Sequence, residues 1–186
     1  MKMRIGYGYD SHEFKPGVPL VIGGVRLEHT HGLAGHSDGD VLLHAITDAL
    51  LGAVAVGDIG SFFPPSDPRW KGADSAIFLR EALRQIALAG FRVVNVDTTM
   101  ILAAPKIVPH AEKLRARVAD LLQVPKNCVG IKAKTPEGTG TDHAAIAHAV
   151  VLLEAVDDDS LLEAVEAEAE VGSSLPASLR PKVEPN

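Results

Sequence analysis

Two stretches of this chain hold residue types that could do chemistry together. Asp10-Ser11-His12 sets a carboxylate and an imidazole two positions apart. His36 to Gly60, HSDGDVLLHAITDALLGAVAVGDIG, opens on His, Ser and two Asp, carries His44 further in and closes on Gly57-Asp58-Ile59-Gly60. In extended chain, alternate residues share a side, so Asp10 and His12 would face the same way. Carboxylate oxygen and imidazole nitrogen are donors that a borderline metal such as Zn²⁺ accepts, and a catalytic site keeps one position open. Asp10, His12 and His44 are therefore a candidate three-ligand set. The alternative is local. His44 lies four residues after Asp40 and four before Asp48, the spacing of an ion-pair row on a helix surface. Those two carboxylates would then be its partners, or the groups that orient a metal-bound imidazole from behind.

Other candidates are anionic or cationic contacts. His36-Ser37-Asp38-Gly39 precedes a helical pattern, where free backbone N–H groups and the helix dipole favour an anion; an ordinary cap reads the same way. Gly57-Asp58-Ile59-Gly60 is either a turn capped by Asp58 or a place where backbone approaches a ligand. Lys106 follows Ala104-Pro105, as a solvated lysine or a phosphate contact. Thr135 and Glu137 follow Lys132 and Lys134, and offer a hydroxyl for phosphoryl oxygen and a carboxylate for a hard cation such as Mg²⁺. His29, His31, His110, His143 and His148 read as loop or helix-surface residues. Gly6-Tyr7-Gly8 lacks the third Gly of a dinucleotide fingerprint and opens no helix.

These residues need a scaffold. Residues 3–9 and 18–27 read as strands, with Pro16-Gly17 as the turn between them and 27–35 as a loop. Ser37, three residues before Asp40, marks a helix start in capping-box spacing. The helix presents Val41, Leu42, Ala45, Ile46, Ala49 and Leu50 as its core face. Residues 57–72 form a long loop of the kind that often carries function. Asp74-Ser75 caps a second helix, with Phe78, Leu79, Ala82, Leu83 and Ile86 inward and Gly90 as its stop. Residues 91–102 form a strand, 109–123 a helix and 128–134 a strand, with Cys128 as a buried inert thiol. Asp142 is expected to cap a last helix running to Val156. The sum is an α/β sandwich, one mixed sheet against a helical layer.

Composition excludes several classes. The net charge of −6 resides in residues 157–186, which hold 8 acidic and 2 basic residues and read as an acidic, partly disordered tail after a domain of residues 1–156. The remainder is neutral, without a Lys/Arg cluster, and only 4% of residues are aromatic, which argues against a nucleic-acid partner. No apolar run is long enough to cross a bilayer, Met1-Lys2-Met3-Arg4 is not the start of a secretory signal, and a single cysteine suits a reducing compartment. The expected location is the cytoplasm.

Taken together, RIGYGYDSH, AGHSDGDVLLHAITDALLGA, VGDIGSFFPPSDPRWKG, APKIVPH and KAKTPEG resemble, in order and over about residues 4–155, the 2-C-methyl-D-erythritol 2,4-cyclodiphosphate synthase family of the non-mevalonate isoprenoid pathway. The resemblance implies a homotrimer with sites between subunits and a fold of ferredoxin-like character. It implies a reaction in which the 2-phosphate of 4-diphosphocytidyl-2-C-methyl-D-erythritol 2-phosphate attacks its own β-phosphorus and expels CMP. It assigns Asp10, His12 and His44 to Zn²⁺ and Glu137 to a second divalent ion, Mg²⁺ or Mn²⁺. His36 and Thr135 match the transition-state-stabilising positions, and Ser37 the same phosphate-binding turn. Asp58, Ile59 and Gly60 match the methylerythritol pocket, followed by the loop from Phe63 to Asp67. Leu102, Pro105, Lys106, Ile107 and Val108 match the cytidine pocket. The loop Gly138 to Asp142 is shorter than is common in the family and holds no Arg, which leaves Lys134 to supply positive charge there; Pro65 replaces an acidic residue. A zinc-dependent phosphoesterase and a non-catalytic trimeric binder of phosphate ligands are the alternatives.

Overall fold

The structure is a computed structural model that describes residues 2–156; the acidic tail expected from 157 onward lies outside the described residues. Strand β1 (Met3–Pro16) pairs with a short β4 (His31–Leu33) on one side and with β7 (Ala144–Ala155) on the other. Beyond β7 come β5 (Phe91–Ile101), antiparallel to it, and β6 (Val129–Lys134), parallel to β5. The resulting five-stranded mixed sheet has the order β4-β1-β7-β5-β6. A separate hairpin joins β2 (Leu20–Ile22) to β3 (Val25–Leu27). Helices α1 (Val41–Ala53), α3 (Ala76–Leu88) and α4 (Ala111–Leu122) make the helical layer, and a single turn, α2 (Ile59–Phe62), follows α1.

The last element is a correction. Residues 144–155 form a strand, not a helix capped by Asp142, and that strand is the centre of the sheet. Ala145, Ala147, Ala149, Val151 and Leu153 are all fully buried on one side, a period of two. Alanine favours helix, but β1 and β5 each present an edge, and one central strand satisfies the backbone groups of both. The small side chains have a further use, since α1 lies across them. Gly6 and Gly8 continue the same floor in β1: a Cβ at Gly8 would sit 1.9 Å from the Ala45 carbonyl oxygen, and one at Gly6 1.8 Å from that of Ala49.

Smaller differences follow the same logic. β1 runs on through Asp10 and His12 to Pro16, and the expected second strand is a hairpin turning at Gly23 and Gly24, both with positive φ. The loop at 27–35 contains β4, and that at 57–72 contains α2 and a 3₁₀ turn at Pro68–Trp70. Helix α1 is capped by Asp40, not Ser37, and is buried nearly all round because α3 covers the face that the sheet does not. Each fully buried Leu or Ile here contributes about 1.5–3 kcal/mol. Cys128 is half-buried at the end of a 3₁₀ turn rather than enclosed.

A candidate metal centre at the end of helix α1

Asp10 and His12 project from β1 on the face that carries Gly6 and Gly8, beneath the first turns of α1. His44, one turn into α1, points down at them. Asp10 Oδ2 lies 3.0 Å from His12 Nε2 and 3.0 Å from His44 Nδ1, and the two imidazole nitrogens are 3.1 Å apart. Burial alone would raise the Asp10 carboxyl; the hydrogen bonds and positive charge of the two histidines outweigh it and hold the group well below the usual carboxylate range. Burial likewise works to lower His44, yet the Asp10 carboxylate beside it wins and the imidazole is raised. The donor set fits a metal. A tetrahedral ion with bonds of about 2.0–2.1 Å separates its ligand atoms by about 3.3 Å. Among the described residues, this is the one group of His, Cys, Asp and Glu arranged to hold an ion.

Neither carboxylate in line with His44 is its partner. Asp40 is fully buried and accepts from Gly23 N at 2.9 Å, Gly24 N at 2.6 Å and Leu43 N at 3.0 Å, so it ties the β2–β3 hairpin to the start of α1. Asp48 accepts from Ile59 N at 2.8 Å and anchors α2. The outer nitrogen of His44 meets serines instead: Ser75 Oγ at 2.8 Å and Ser37 Oγ at 3.1 Å. Sequence reasoning missed Ser75, since its place before α3 reads as a cap. Its side chain makes no capping bond.

His36 Nε2 lies 3.2 Å from the Asp67 carbonyl oxygen, which joins the loop before α1 to the 63–67 loop. Asp67 itself pairs with Arg69 at 2.5 Å. Asp58 caps α2, accepting from Ser61 N at 2.8 Å and Ser61 Oγ at 2.7 Å; those bonds lower its carboxyl. Ile59 is half-buried and Gly60 exposed. Phe63 is committed to a small aromatic core, its ring centroid 4.5 Å from that of Phe78 and 4.9 Å from that of Trp70, so only its backbone is available to a ligand.

A second cluster forms at β5 and β6. Leu102 N donates to the Lys134 carbonyl at 3.1 Å, which sets the segment Leu102 to Val108 beside Thr135 and Glu137. Leu102 and Ile107 are buried, Pro105 follows a cis peptide bond, and Lys106, Val108 and Lys134 are exposed. Thr135 Oγ1 donates to the Glu137 carboxylate. The two clusters share one end of the sheet: Asp10, Ala147, Met100 and Ala133 stand in one row across β1, β7, β5 and β6. Three strand spacings, about 14 Å, separate Asp10 from Ala133 along that row, and Thr135 and Glu137 follow two and four residues later. One histidine set aside by sequence has company: His148, on β7, takes Tyr7 Oη at 2.9 Å from its Nδ1 and lies edge-on to Tyr9.

The YgbB family model matches residues 3–154. The chain belongs to the YgbB family. Among its YgbB relatives, the 2-C-methyl-D-erythritol 2,4-cyclodiphosphate synthase of Koribacter versatilis (strain Ellin345) is 65% identical over 152 residues, which cover 82% of this chain and 98% of the relative. A solved structure of 2C-methyl-D-erythritol-2,4-cyclodiphosphate synthase superposes with a TM-score of 0.78 at 44% identity, over 81% of this chain and 100% of the other. Another, in a CDP-bound form, gives 0.77 at 42% identity and covers 81% and 100%. The resemblance drawn from the motifs is thus a family membership. It spans the sheet, the helical layer and both clusters.

Proposed function

We infer that this chain converts 4-diphosphocytidyl-2-C-methyl-D-erythritol 2-phosphate to 2-C-methyl-D-erythritol 2,4-cyclodiphosphate and CMP, as a phosphorus–oxygen lyase of isoprenoid biosynthesis. The observation that carries this reading is the convergence of Asp10, His12 and His44 in a chain 65% identical to a synthase of that name. The 2-phosphate oxygen forms a bond to the β-phosphorus, the bond from that phosphorus to the bridging oxygen breaks, and CMP leaves with the oxygen. Nucleophile and electrophile belong to one molecule and both are anionic. Positioning and charge neutralisation therefore dominate the barrier.

Asp10, His12 and His44 would hold Zn²⁺, and Glu137 a second cation, Mg²⁺ or Mn²⁺; the ions supply Lewis-acid charge to phosphoryl oxygens. His36 and Thr135 hydrogen-bond the reacting phosphates, with Ser37 in the same turn. Asp58, Ile59 and Gly60 hold the polyol, flanked by the Phe63 to Asp67 backbone. Leu102, Pro105, Lys106, Ile107 and Val108 receive the cytidine, and Lys134 adds positive charge where the short 138–142 loop has no Arg. The working unit is a homotrimer in the cytoplasm, each subunit carrying a synthase domain of residues 1–156 followed by the acidic tail of residues 157–186. Two features support assembly. The sheet face opposite the helices exposes Ile5 (71%), Tyr7 (60%) and Val150 (44%), an apolar patch that a second copy would cover. The two clusters stand on opposite strands of the sheet, β1 and β6, three strands apart, which suits a substrate shared with a neighbouring subunit.

Phosphorus NMR of the purified chain with substrate, Zn²⁺ and Mg²⁺ tests this. A cyclic diphosphate with stoichiometric CMP is expected. Open-chain phosphates would instead mark a phosphoesterase, and unaltered substrate a binding protein.

A further inference from the structure

We propose that Ser75 and Asp38 are positioning residues for His44, forming a directed hydrogen-bond relay that fixes a proton on its Nε2 and turns its Nδ1 toward Asp10 and His12. The proposal rests on the reading of the triad as a metal site. Ser75 is fully buried at the start of α3, with its hydroxyl 2.8 Å from His44 Nε2 and 2.5 Å from Asp38 Oδ1. The Asp38 oxygens also face backbone donors, Asp40 N at 3.2 Å from Oδ1 and Ser75 N at 3.2 Å from Oδ2, so this group accepts. A serine hydroxyl has one proton to give. It goes to Asp38, which leaves only lone pairs toward His44; Nε2 must then be the donor. Ser37 Oγ, 3.1 Å from Nε2 and 3.4 Å from Ser75 Oγ, lies beside the relay as a secondary contact.

A metal-ligating imidazole with a protonated outer nitrogen offers its other nitrogen as a lone pair, in a fixed plane. The three groups come from three places: the loop before α1, α1 itself and the start of α3. The relay therefore makes the orientation of His44 depend on how α3 docks against α1. The Ser75 hydroxyl has no capping duty in α3. The first turn of α3 is served by Asp74, whose Oδ1 accepts from Ala76 N at 2.8 Å, and not by the Ser75 hydroxyl.

The test is zinc affinity of the full chain, by competition with a chromophoric chelator, together with the visible absorption spectrum of the Co²⁺-loaded protein. Ser75→Ala should bind Zn²⁺ about ten- to a hundredfold more weakly than the parent and shift the Co²⁺ bands, with far-UV circular dichroism unchanged. Asp38→Asn, which keeps the volume but loses a carboxylate oxygen, should move both readouts the same way, and decides alone if Ser75→Ala does not fold. Affinities within twofold of the parent and unshifted Co²⁺ bands overturn the relay. A parent chain that binds no zinc overturns the metal reading itself, which is a separate result.

Discussion

At the residue scale, the Asp48 carboxylate is half-buried and accepts one bond, while the Asp58 and Asp10 carboxylates lie close enough to repel it. Burial, with that repulsion, raises its carboxyl above the ordinary value of about 3.9. The folded chain thus holds the Asp48 proton more tightly than the unfolded chain. This contribution favours folding below that ordinary value and is lost as pH rises through the raised one. Asp48→Asn keeps an oxygen for Ile59 N and removes the charge. It should be neutral or slightly stabilising at pH 7, with the advantage shrinking as the pH is lowered toward 4. Urea denaturation of both proteins across that range measures the difference, and a variant less stable at pH 7 than at pH 4 relative to the parent contradicts it. Burial raises the Asp40 carboxyl as well, but here three backbone donors converge on the group. Asp40→Ala strands those donors, two of them on the hairpin, and should cost about 3 kcal/mol or more in the same assay.

At the scale of elements, the contact of α1 with β1 and β7 decides where the triad sits. Helix and sheet backbones approach closely because Gly6, Gly8, Ala145, Ala147 and Ala149 have little or no side chain between them. Gly8→Ala drives a methyl group into the Ala45 carbonyl, one residue from His44, and also 2.7 Å from Ala49 N. Backbone cannot yield as a flexible side chain would. We expect a loss of about 3 kcal/mol, and weaker zinc binding in whatever fraction folds, since α1 must lift away from β1. Calorimetric melting and zinc titration check the two parts. A fully stable Gly8→Ala would mean that helix and sheet are farther apart than described.

At the scale of the molecule, the described residues cover the sheet on one side only. Helices α1, α3 and α4 lie on the inner face, while Met3, Ile5, Tyr7, Tyr9 and Val150 remain exposed on the outer one. Ile5→Lys places a charge in the middle of that patch, at a side chain that is largely exposed among the described residues. It should convert the proposed trimer to the mass of one chain in light scattering, and leave the melting of the isolated subunit unchanged within about 0.5 kcal/mol. Cyclisation should fall together with the mass if subunits share the substrate. An unchanged mass would remove this face from the interface.

The sequence alone named the candidate residues for metal and phosphate, because residue type fixes donor chemistry, and it put Asp10 and His12 on one side of any extended chain, because strand geometry has a period of two; that the strand runs on through them was settled by the sheet. It also determined most helices, whose apolar faces recur at helical spacing: Phe78, Leu79, Ala82 and Ile86 are buried as their spacing demands. It did not show that residues 144–155 are a strand. Alanine there reflects the space that α1 leaves above the sheet, and no local propensity carries that information. Nor did it choose between Asp40, Asp48 and Asp10 as the partner of His44. Helical spacing made both Asp40 and Asp48 available, yet each was taken by backbone donors from elsewhere, Gly23 and Gly24 for one and Ile59 for the other. Only the packing of α3 against α1 brought Ser75 to the outer nitrogen of His44. A hydrogen bond between residues 31 apart is decided by tertiary contact, not by sequence neighbours.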